Sequence, residues 1–228
     1  MKSFRVWISA GYPRIARVVT GMTISLAVVF TLAFSTAAFA GAPTNTVKAA
    51  VDRVISILNN PKLKGPAHEK ERRARIRKAV FEVWDFREMA KRSLAQYWRE
   101  RTEAQKKEFT DLFADLLERS YINRIESYSG EKIIWDKETV DLPYAEVDSH
   151  FLTKRREEIP VNYRLLDEDG KWKVYDMVIE NVSLVNNYRT QFNKIIRQSS
   201  YDDLVKKMKN KQESESFVSH AKEKEQKP

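Results

Sequence analysis

Histidine and carboxylate side chains are the first candidates for chemistry, because the chain has three histidines and no cysteine. His150 follows Asp148 by two residues, and a His/Asp pair could act as a general base in a cone-shaped α+β enzyme for small molecules. The same two residues fit a polar surface turn between predicted strands, in which neither takes part in a reaction. We favour the surface turn and keep the enzyme as an alternative.

Motifs for other kinds of catalysis are missing from the sequence. No HExxH or CxxC spacing occurs, and the six glycines form no glycine-rich phosphate loop. We therefore predict no catalytic residues, no metal site, no cofactor and no enzyme activity. The sequence instead has many large apolar side chains at regular spacing, which is typical of a core or of a binding cavity.

The first 40 residues have the layout of a secretory signal peptide. A basic start without acidic residues precedes an almost wholly apolar stretch over residues 18–34, and Ala38 and Ala40 provide the small side chains of a cleavage site. We predict cleavage before Gly41 and export from the cytoplasm; an uncleaved membrane anchor is the alternative. Removing the four cations of this segment lowers the formal net charge from +9 to about +5. This surplus suits anionic headgroups or an acidic protein patch, and we predict no nucleic-acid partner.

Helical periodicity dominates the next part of the chain. A first helix is predicted from Asn45 or Thr46 to Leu58, then a charged helix around residues 76–84 and a short helix capped by Asp85. A capping box of Thr102 and Gln105 begins the longest helix. Its apolar positions repeat with the helical period: Phe109, Leu112, Phe113, Leu116, Leu117, Tyr121 and Ile125.

Strand patterns follow the long helix. Residues 133–135 and residues 159–165 have strand patterns, and Asp169-Gly170 predicts a hairpin turn into a strand over residues 172–179. Ser183 is a predicted cap for a further helix, and a short helix over residues 201–208 ends the domain.

The predicted fold class is α+β, with several amphipathic helices packed on one twisted antiparallel sheet. We assign residues 41–210 to a single domain and residues 211–228 to a disordered charged tail. Periodicity does not decide whether helices and sheet meet in a solid core or enclose an apolar cavity.

Three stretches resemble the MlaC family of periplasmic phospholipid-binding proteins, also called toluene-tolerance proteins. They run from Val83 to Phe109, from Phe113 to Gly130, and from Trp172 through Val182-Ser-Leu-Val to Tyr188-Arg189 and Phe192. The resemblance covers roughly residues 45–208. The chain departs from the family pattern at Ala95, Asn181 and Ser199-Ser200, where glycine is common.

This resemblance implies a periplasmic carrier that holds the acyl tails of a phospholipid between sheet and helices. It further implies that the carrier takes lipid from an outer-membrane lipoprotein complex, and we expect a monomer. The lipid passes to the periplasmic ring of an inner-membrane ABC transporter, which maintains outer-membrane lipid asymmetry. A hopanoid-associated branch of the family, the cone-shaped enzyme and an adaptor or chaperone with a solid core are the alternatives.

We predict the lipid-binding residues on the inward faces of the long helix and the hairpin, with a solid core as the alternative for each. They are Phe109, Phe113, Leu116, Leu117, Val161, Tyr163, Leu165, Val174 and Val178. Tyr188, Arg189 and Asp176 are predicted to be headgroup or structural residues, with Arg189 pairing with Asp176 or Glu180. Lys154-Arg155-Arg156 could steer the protein to anionic surfaces or form an ordinary solvated turn.

Overall fold

Six α-helices and a five-stranded sheet make up residues 41–210, the part of the chain that the computed structural model describes. The predicted signal peptide over residues 1–40 and the predicted charged tail over residues 211–228 lie outside the described residues. No helix between residues 41 and 210 is long and apolar enough to cross a bilayer.

The helices come first, then the sheet, then two more helices, which confirms the predicted α+β class. The elements are α1 (Ala42–Asn59), α2 (Glu69–Phe81), α3 (Phe86–Leu94), α4 (Glu103–Glu126), β1 (Lys132–Asp141), β2 (Tyr144–Leu152), β3 (Glu158–Glu168), β4 (Lys171–Ile179), β5 (Val182–Ser183), α5 (Leu184–Gln198) and α6 (Tyr201–Lys209). All neighbouring strands pair antiparallel, in the order in which they follow along the chain.

Side-chain caps fix where the helices begin. The Thr102 hydroxyl accepts a hydrogen bond from the Gln105 backbone N–H at 3.2 Å, and the Gln105 side chain accepts one from the Thr102 N–H at 3.0 Å. Asp85 accepts from the Glu88 N–H at 2.9 Å, and Ser183 begins α5 in the same way. Each cap satisfies a backbone donor that the first helical turn leaves unpaired, so these three predicted caps are confirmed. The predicted start of the first helix at Asn45 or Thr46 is wrong, because α1 begins at Ala42 after Gly41 and has no side-chain cap.

An irregularity in the β3–β4 ladder decides which side chains share a face. Tyr163 lies opposite Met177, but Leu165 lies opposite Val174, so β4 has one extra residue between these pairs. Side chains on a strand alternate between faces, and the extra residue reverses the alternation. Val178 therefore lies on the face opposite to Val174, whereas the sequence had placed both on one face.

Buried apolar side chains between residues 41 and 210 form two clusters. The packed helical cluster comes from α3, α4, α5 and α6, with Phe109, Phe113, Tyr188 and Phe192 at its centre. The sheet cluster joins the inner face of β2, β3 and β4 to the first half of α1. The two clusters meet at α4 and Trp84, and beside this junction the helices and the sheet do not close on one another.

Candidate functional site: an apolar cavity between helices and sheet

A cavity of about 420 Å³ lies between the sheet and helices α1, α2 and α4. Its volume is in the range of about 300–1,000 Å³ that small-molecule sites commonly have. Val54 and Ile55 of α1, Ile76 and Val80 of α2, and Ile133 of β1 contribute to a wall that is mostly hydrocarbon. An apolar cavity of this kind can hold the hydrocarbon part of a ligand and gives water few hydrogen-bond partners.

Helix α4 lies between much of the cavity and the packed helical cluster, and Met89 of α3 belongs to both. Leu117 lines the cavity and also belongs to the edge of the cluster. Phe109, Phe113 and Leu116, which were predicted beside it as ligand contacts, are fully buried inside the packed helical cluster and are not on the cavity wall. The long helix is thus apolar on two sides, and the sequence pattern did not distinguish them.

The β3–β4 hairpin forms part of the opposite wall. Val161 and Tyr163 line the cavity, as do Met177 and Ile179 of β4. Leu165 and Val174 are fully buried in the sheet cluster beyond the end of the cavity. Of the nine predicted contact residues, the structure therefore brings three to the cavity wall: Leu117, Val161 and Tyr163.

The wall formed by α1 and α2 was missed by sequence reasoning. Val54, Ile55 and Leu58 of α1 line the cavity and are not among the predicted contact residues. A usable signal was present, because the following helix is so rich in charge that Ile76 and Val80 stand out as an isolated apolar line. Such a line needs an apolar surface opposite, and here that surface is the cavity.

Charged and polar side chains form the smaller part of the cavity lining. The Arg77 guanidinium donates to Asp115 Oδ1 at 2.9 Å and also to Glu118, so its charge is paired with α4. On the sheet, burial raises the pKa of the Tyr163 phenol well above its ordinary value, although a hydrogen bond with Ser149 opposes this. Tyr163 is therefore uncharged at neutral pH, as a group against hydrocarbon must be.

Asp176 and Tyr188 hold the framework together away from the cavity. The buried Asp176 carboxylate accepts hydrogen bonds from the Ser183 hydroxyl at 2.6 Å and the Val185 N–H at 3.0 Å, which anchors the start of α5 to β4. Tyr188 is fully buried, and its hydroxyl lies 3.2 Å from Ser120 Oγ. Arg164 is the arginine beside Asp176, at 3.4 Å.

Arg189 has a different partner from the two carboxylates predicted for it. Its Nε donates to the backbone carbonyl of Arg92 at 3.0 Å, close to the end of α3. A cation suits this position because the last carbonyls of a helix have no partner within the helix. Arg189 thus joins α5 to α3.

His150 lies on β2, and the predicted polar turn at this position is wrong. Its Nδ1 is 2.8 Å from Asp136 Oδ2 across the β1–β2 ladder, while Asp148 is two residues away on the same strand. Neither His150 nor Asp176 lines the cavity. In the described range no group of three or more histidine or acidic side chains is placed to hold a metal ion.

The structure therefore defines a small α+β protein with an apolar cavity between a helical layer and an open antiparallel sheet. A solved structure with a similar fold is the phospholipid-binding protein from Ralstonia solanacearum in complex with a phospholipid, with a TM-score of 0.67 and 22% sequence identity. The match covers 76% of this chain and 97% of that one.

The family model described as MlaC protein matches residues 48–210, and the chain belongs to this family. A curated relative from Haemophilus influenzae, the intermembrane phospholipid transport system binding protein MlaC, is 28% identical over 125 residues. That match covers 50% of this chain and 56% of the relative, so the chain spans about half the length of the curated relative it matches.

Proposed function

We propose that this protein is a phospholipid carrier that holds acyl chains in the cavity between α1, α2, α4 and the sheet. The observation that carries the proposal is the cavity itself, about 420 Å³ of mostly hydrocarbon-lined space. Leu117, Val161 and Tyr163 contact the acyl chains, together with the apolar faces of α1 and α2. The headgroup stays at the polar edge of the cavity, in contact with solvent.

The physical need for such a carrier comes from the hydration of the acyl chains. At about 0.8 kcal/mol per methylene, exposing two tails of about 16 carbons to water costs on the order of 25 kcal/mol. A dry cavity removes most of this cost without any chemical step. That agrees with a site that is rich in hydrocarbon and has few polar groups.

The relatives support a carrier that moves phospholipid between two membranes. The Haemophilus influenzae protein is named as the binding protein of an intermembrane phospholipid transport system, and the Ralstonia solanacearum protein was solved with a phospholipid. As the family resemblance implies, we propose that this carrier takes lipid from an outer-membrane lipoprotein complex and delivers it as a monomer to the periplasmic ring of an inner-membrane ABC transporter. The hopanoid-associated branch remains the alternative within the family.

Export to the periplasm and removal of residues 1–40 are part of the proposal. The Gly41 nitrogen lies 2.7 Å from Glu138 Oε1, and Thr44 donates to Glu138 Oε2 through both its N–H and its hydroxyl. Cleavage before Gly41 would turn this nitrogen into an ammonium beside a carboxylate, a charge-assisted hydrogen bond that fixes the start of α1. The intact mass of protein from a periplasmic extract tests the cleavage position.

Mass spectrometry of lipids extracted from the purified protein tests the carrier. We expect phospholipid in a fixed ratio to folded protein. Hopanoids in place of phospholipid would assign the protein to the hopanoid-associated branch of the family. Purified protein without any bound lipid would contradict the proposed carrier function and would favour an adaptor or chaperone.

A further inference from the structure

Residues 52–82, called the flap below, differ from the rest of residues 41–210 in how they are attached. They include the second half of α1, two short 3₁₀ turns and α2. In the described part of the chain, neither the packed helical cluster nor the sheet cluster contains a residue of the flap. Six of its apolar side chains instead line the cavity: Val54, Ile55, Leu58, Ile76, Val80 and Phe81. Leu63 and Ala79 are buried without lining it.

Ion pairs connect α2 of the flap directly to α4. Arg72 Nε is 2.7 Å from Glu126 Oε1, and Arg73 Nη2 is 2.8 Å from Glu126 Oε2. Arg73 also donates to Asn123 Oδ1 at 3.1 Å. One turn further along α2, Arg77 pairs with two carboxylates of α4. The two helices are thus joined along their length by side-chain charges.

Glu126 of α4 pairs with two arginines of α2. We call these three residues, Glu126, Arg72 and Arg73, the latch. The Glu126 side chain is 14% exposed and accepts hydrogen bonds from both arginines. Burial acts to raise the pKa of Glu126, but the hydrogen bonds from Arg73 and Arg72 outweigh it and hold the pKa below its ordinary value. The carboxylate is therefore ionised near neutral pH, and it neutralises two neighbouring cations that would otherwise repel each other.

The latch lies beside the cavity wall. Ile76, three residues after Arg73, is 2% exposed and lines the cavity, as do Ile122 and Ile125 of α4. Parting the two helices at the latch would expose this part of the wall. When such partly buried ion pairs separate, both partners regain hydration that offsets the lost attraction, so they can open at a smaller cost than interlocked apolar side chains.

The two ends of α2 are held differently. At its C-terminal end, the chain is fixed to β4 by two backbone hydrogen bonds, Val174 N–H to Val83 at 3.0 Å and Asp85 N–H to Val174 at 2.9 Å. At its N-terminal end, the chain enters from an exposed segment that contains Gly65 with a left-handed φ of 85°. Movement of α2 away from α4 is therefore easiest at the Glu126 end.

We propose that the latch closes the entrance to the cavity, and that release of Arg72 and Arg73 from Glu126 lets acyl chains enter between α2 and α4. This inference rests on the proposed phospholipid function. The latch sets the rate at which lipid exchanges, whereas the cavity wall sets whether lipid is held at all.

Exchange of a fluorescent lipid tests the latch. The full chain, purified after export, is loaded with a phosphatidylethanolamine that carries a fluorescent acyl chain, and transfer to phosphatidylcholine vesicles is timed. We expect Glu126→Gln to transfer about fivefold faster than wild type, the change that corresponds to loss of about 1 kcal/mol of closing free energy. The control is Glu71→Gln, because Glu71 pairs with Arg75 within α2 and does not reach α4. Equal rates in wild type and Glu126→Gln, or equal acceleration in Glu71→Gln, would overturn the latch.

A cross-link tests the same entrance without depending on the stability of Glu126→Gln. The chain has no cysteine, so Arg73→Cys with Glu126→Cys can be joined by a short bis-maleimide at one place. We expect transfer to be at least tenfold slower after cross-linking than before, while the same treatment of Glu71→Cys with Arg75→Cys, both within α2, changes nothing. Undiminished transfer through the cross-linked entrance would refute the proposal. Failure of wild type to take up the probe would instead overturn the phospholipid function.

Discussion

The two sides of α4 show how the same residue types can serve opposite purposes. On one side, Phe113 lies edge-to-face against Tyr188 and Phe192, with ring centroids 5.2 and 5.6 Å apart, and the helices interlock. On the other side, Leu117 and Ile122 line a cavity. The packed side supplies stability through dense contacts, and the open side leaves apolar surface for a ligand. Stability and ligand binding should therefore respond to different substitutions.

Phe113→Ala should have the largest effect on stability, because it leaves a void in the packed helical cluster. We expect a loss of about 3–5 kcal/mol in the free energy of unfolding, measured by urea denaturation. Lipid bound per folded molecule should stay at the wild-type value, because Phe113 is not on the cavity wall. A stable Phe113→Ala variant that loses its lipid would show that the Phe113 ring contacts the ligand and does not belong to the packed side of α4.

Neighbouring leucines allow a matched test of the two sides. Leu117→Trp should fill part of the cavity and lower the amount of co-purified lipid, at a smaller loss of stability than Leu116→Trp, because Leu117 also borders the cavity. Leu116→Trp should overpack the packed helical cluster and cost about 1–3 kcal/mol, with lipid content per folded molecule unchanged. Lipid extraction and urea unfolding of both variants measure these effects. Loss of lipid in Leu116→Trp but not in Leu117→Trp would show that the ligand lies on the other side of α4.

Ala95 provides a smaller test on the packed side. It follows α3 with φ 52° and ψ −121°, a conformation that glycine adopts readily and that a Cβ disfavours. Ala95→Gly should relieve this strain and raise the free energy of unfolding by about 1 kcal/mol. Thermal unfolding measures the gain, and fluorescent-lipid transfer should keep its wild-type rate. An unchanged or lower melting temperature would show that the strain is not released in this way.

The smallest expected effect is at Glu168, close to the connection that joins the flap to the packed side. A hydrogen bond with Asp85, then burial and the Asp85 charge, raise the pKa of Glu168 to about 7 from its ordinary 4.5. The folded state thus holds this proton more tightly than the unfolded state. The resulting stabilisation is complete below about pH 4.5 and is lost as the pH rises through about 7.

Glu168→Gln imitates the protonated side chain and should remove this loss. Because Glu168 is exposed and screened by solvent, we expect the variant to gain about 0.5 kcal/mol over wild type at pH 8, roughly 1–2 °C in melting temperature. At pH 4.5 the two proteins should melt together. A constant difference between pH 4.5 and pH 8 would mean that the gain has another cause.

Much of the fold could be predicted from local sequence signals. The Thr102–Gln105 capping box, the Asp85 and Ser183 caps and the Asp169-Gly170 turn are confirmed, because each depends on residues within a few positions of one another. The replacement of the family's glycine by Asn181 is also understandable from the residue alone. Its φ of 67° is in the left-handed region, which asparagine tolerates better than most residues.

The candidate site was harder to predict because its geometry depends on contacts between distant elements. One extra residue in β4 places Val174 and Val178 on opposite faces of the sheet, and no local sequence signal marks this residue. The partner of Arg189 is a backbone carbonyl at Arg92, which has no side-chain signature in the sequence. Contact with lipid stays a prediction for Leu117, Val161 and Tyr163, the three predicted residues that line the cavity.

The sequence by itself determined which elements form and, outside β4, which side of each is apolar, because helix and strand periods place residues on faces. Only the tertiary structure decided what covers those faces. It packed Phe109, Phe113 and Leu116 against other helices and left Ile76 and Val80 of α2 facing a cavity. The physical reason is that the hydrophobic effect has no direction. An apolar face gains similarly from a packed helix or from a bound acyl chain, and the long-range arrangement of the elements selects between them.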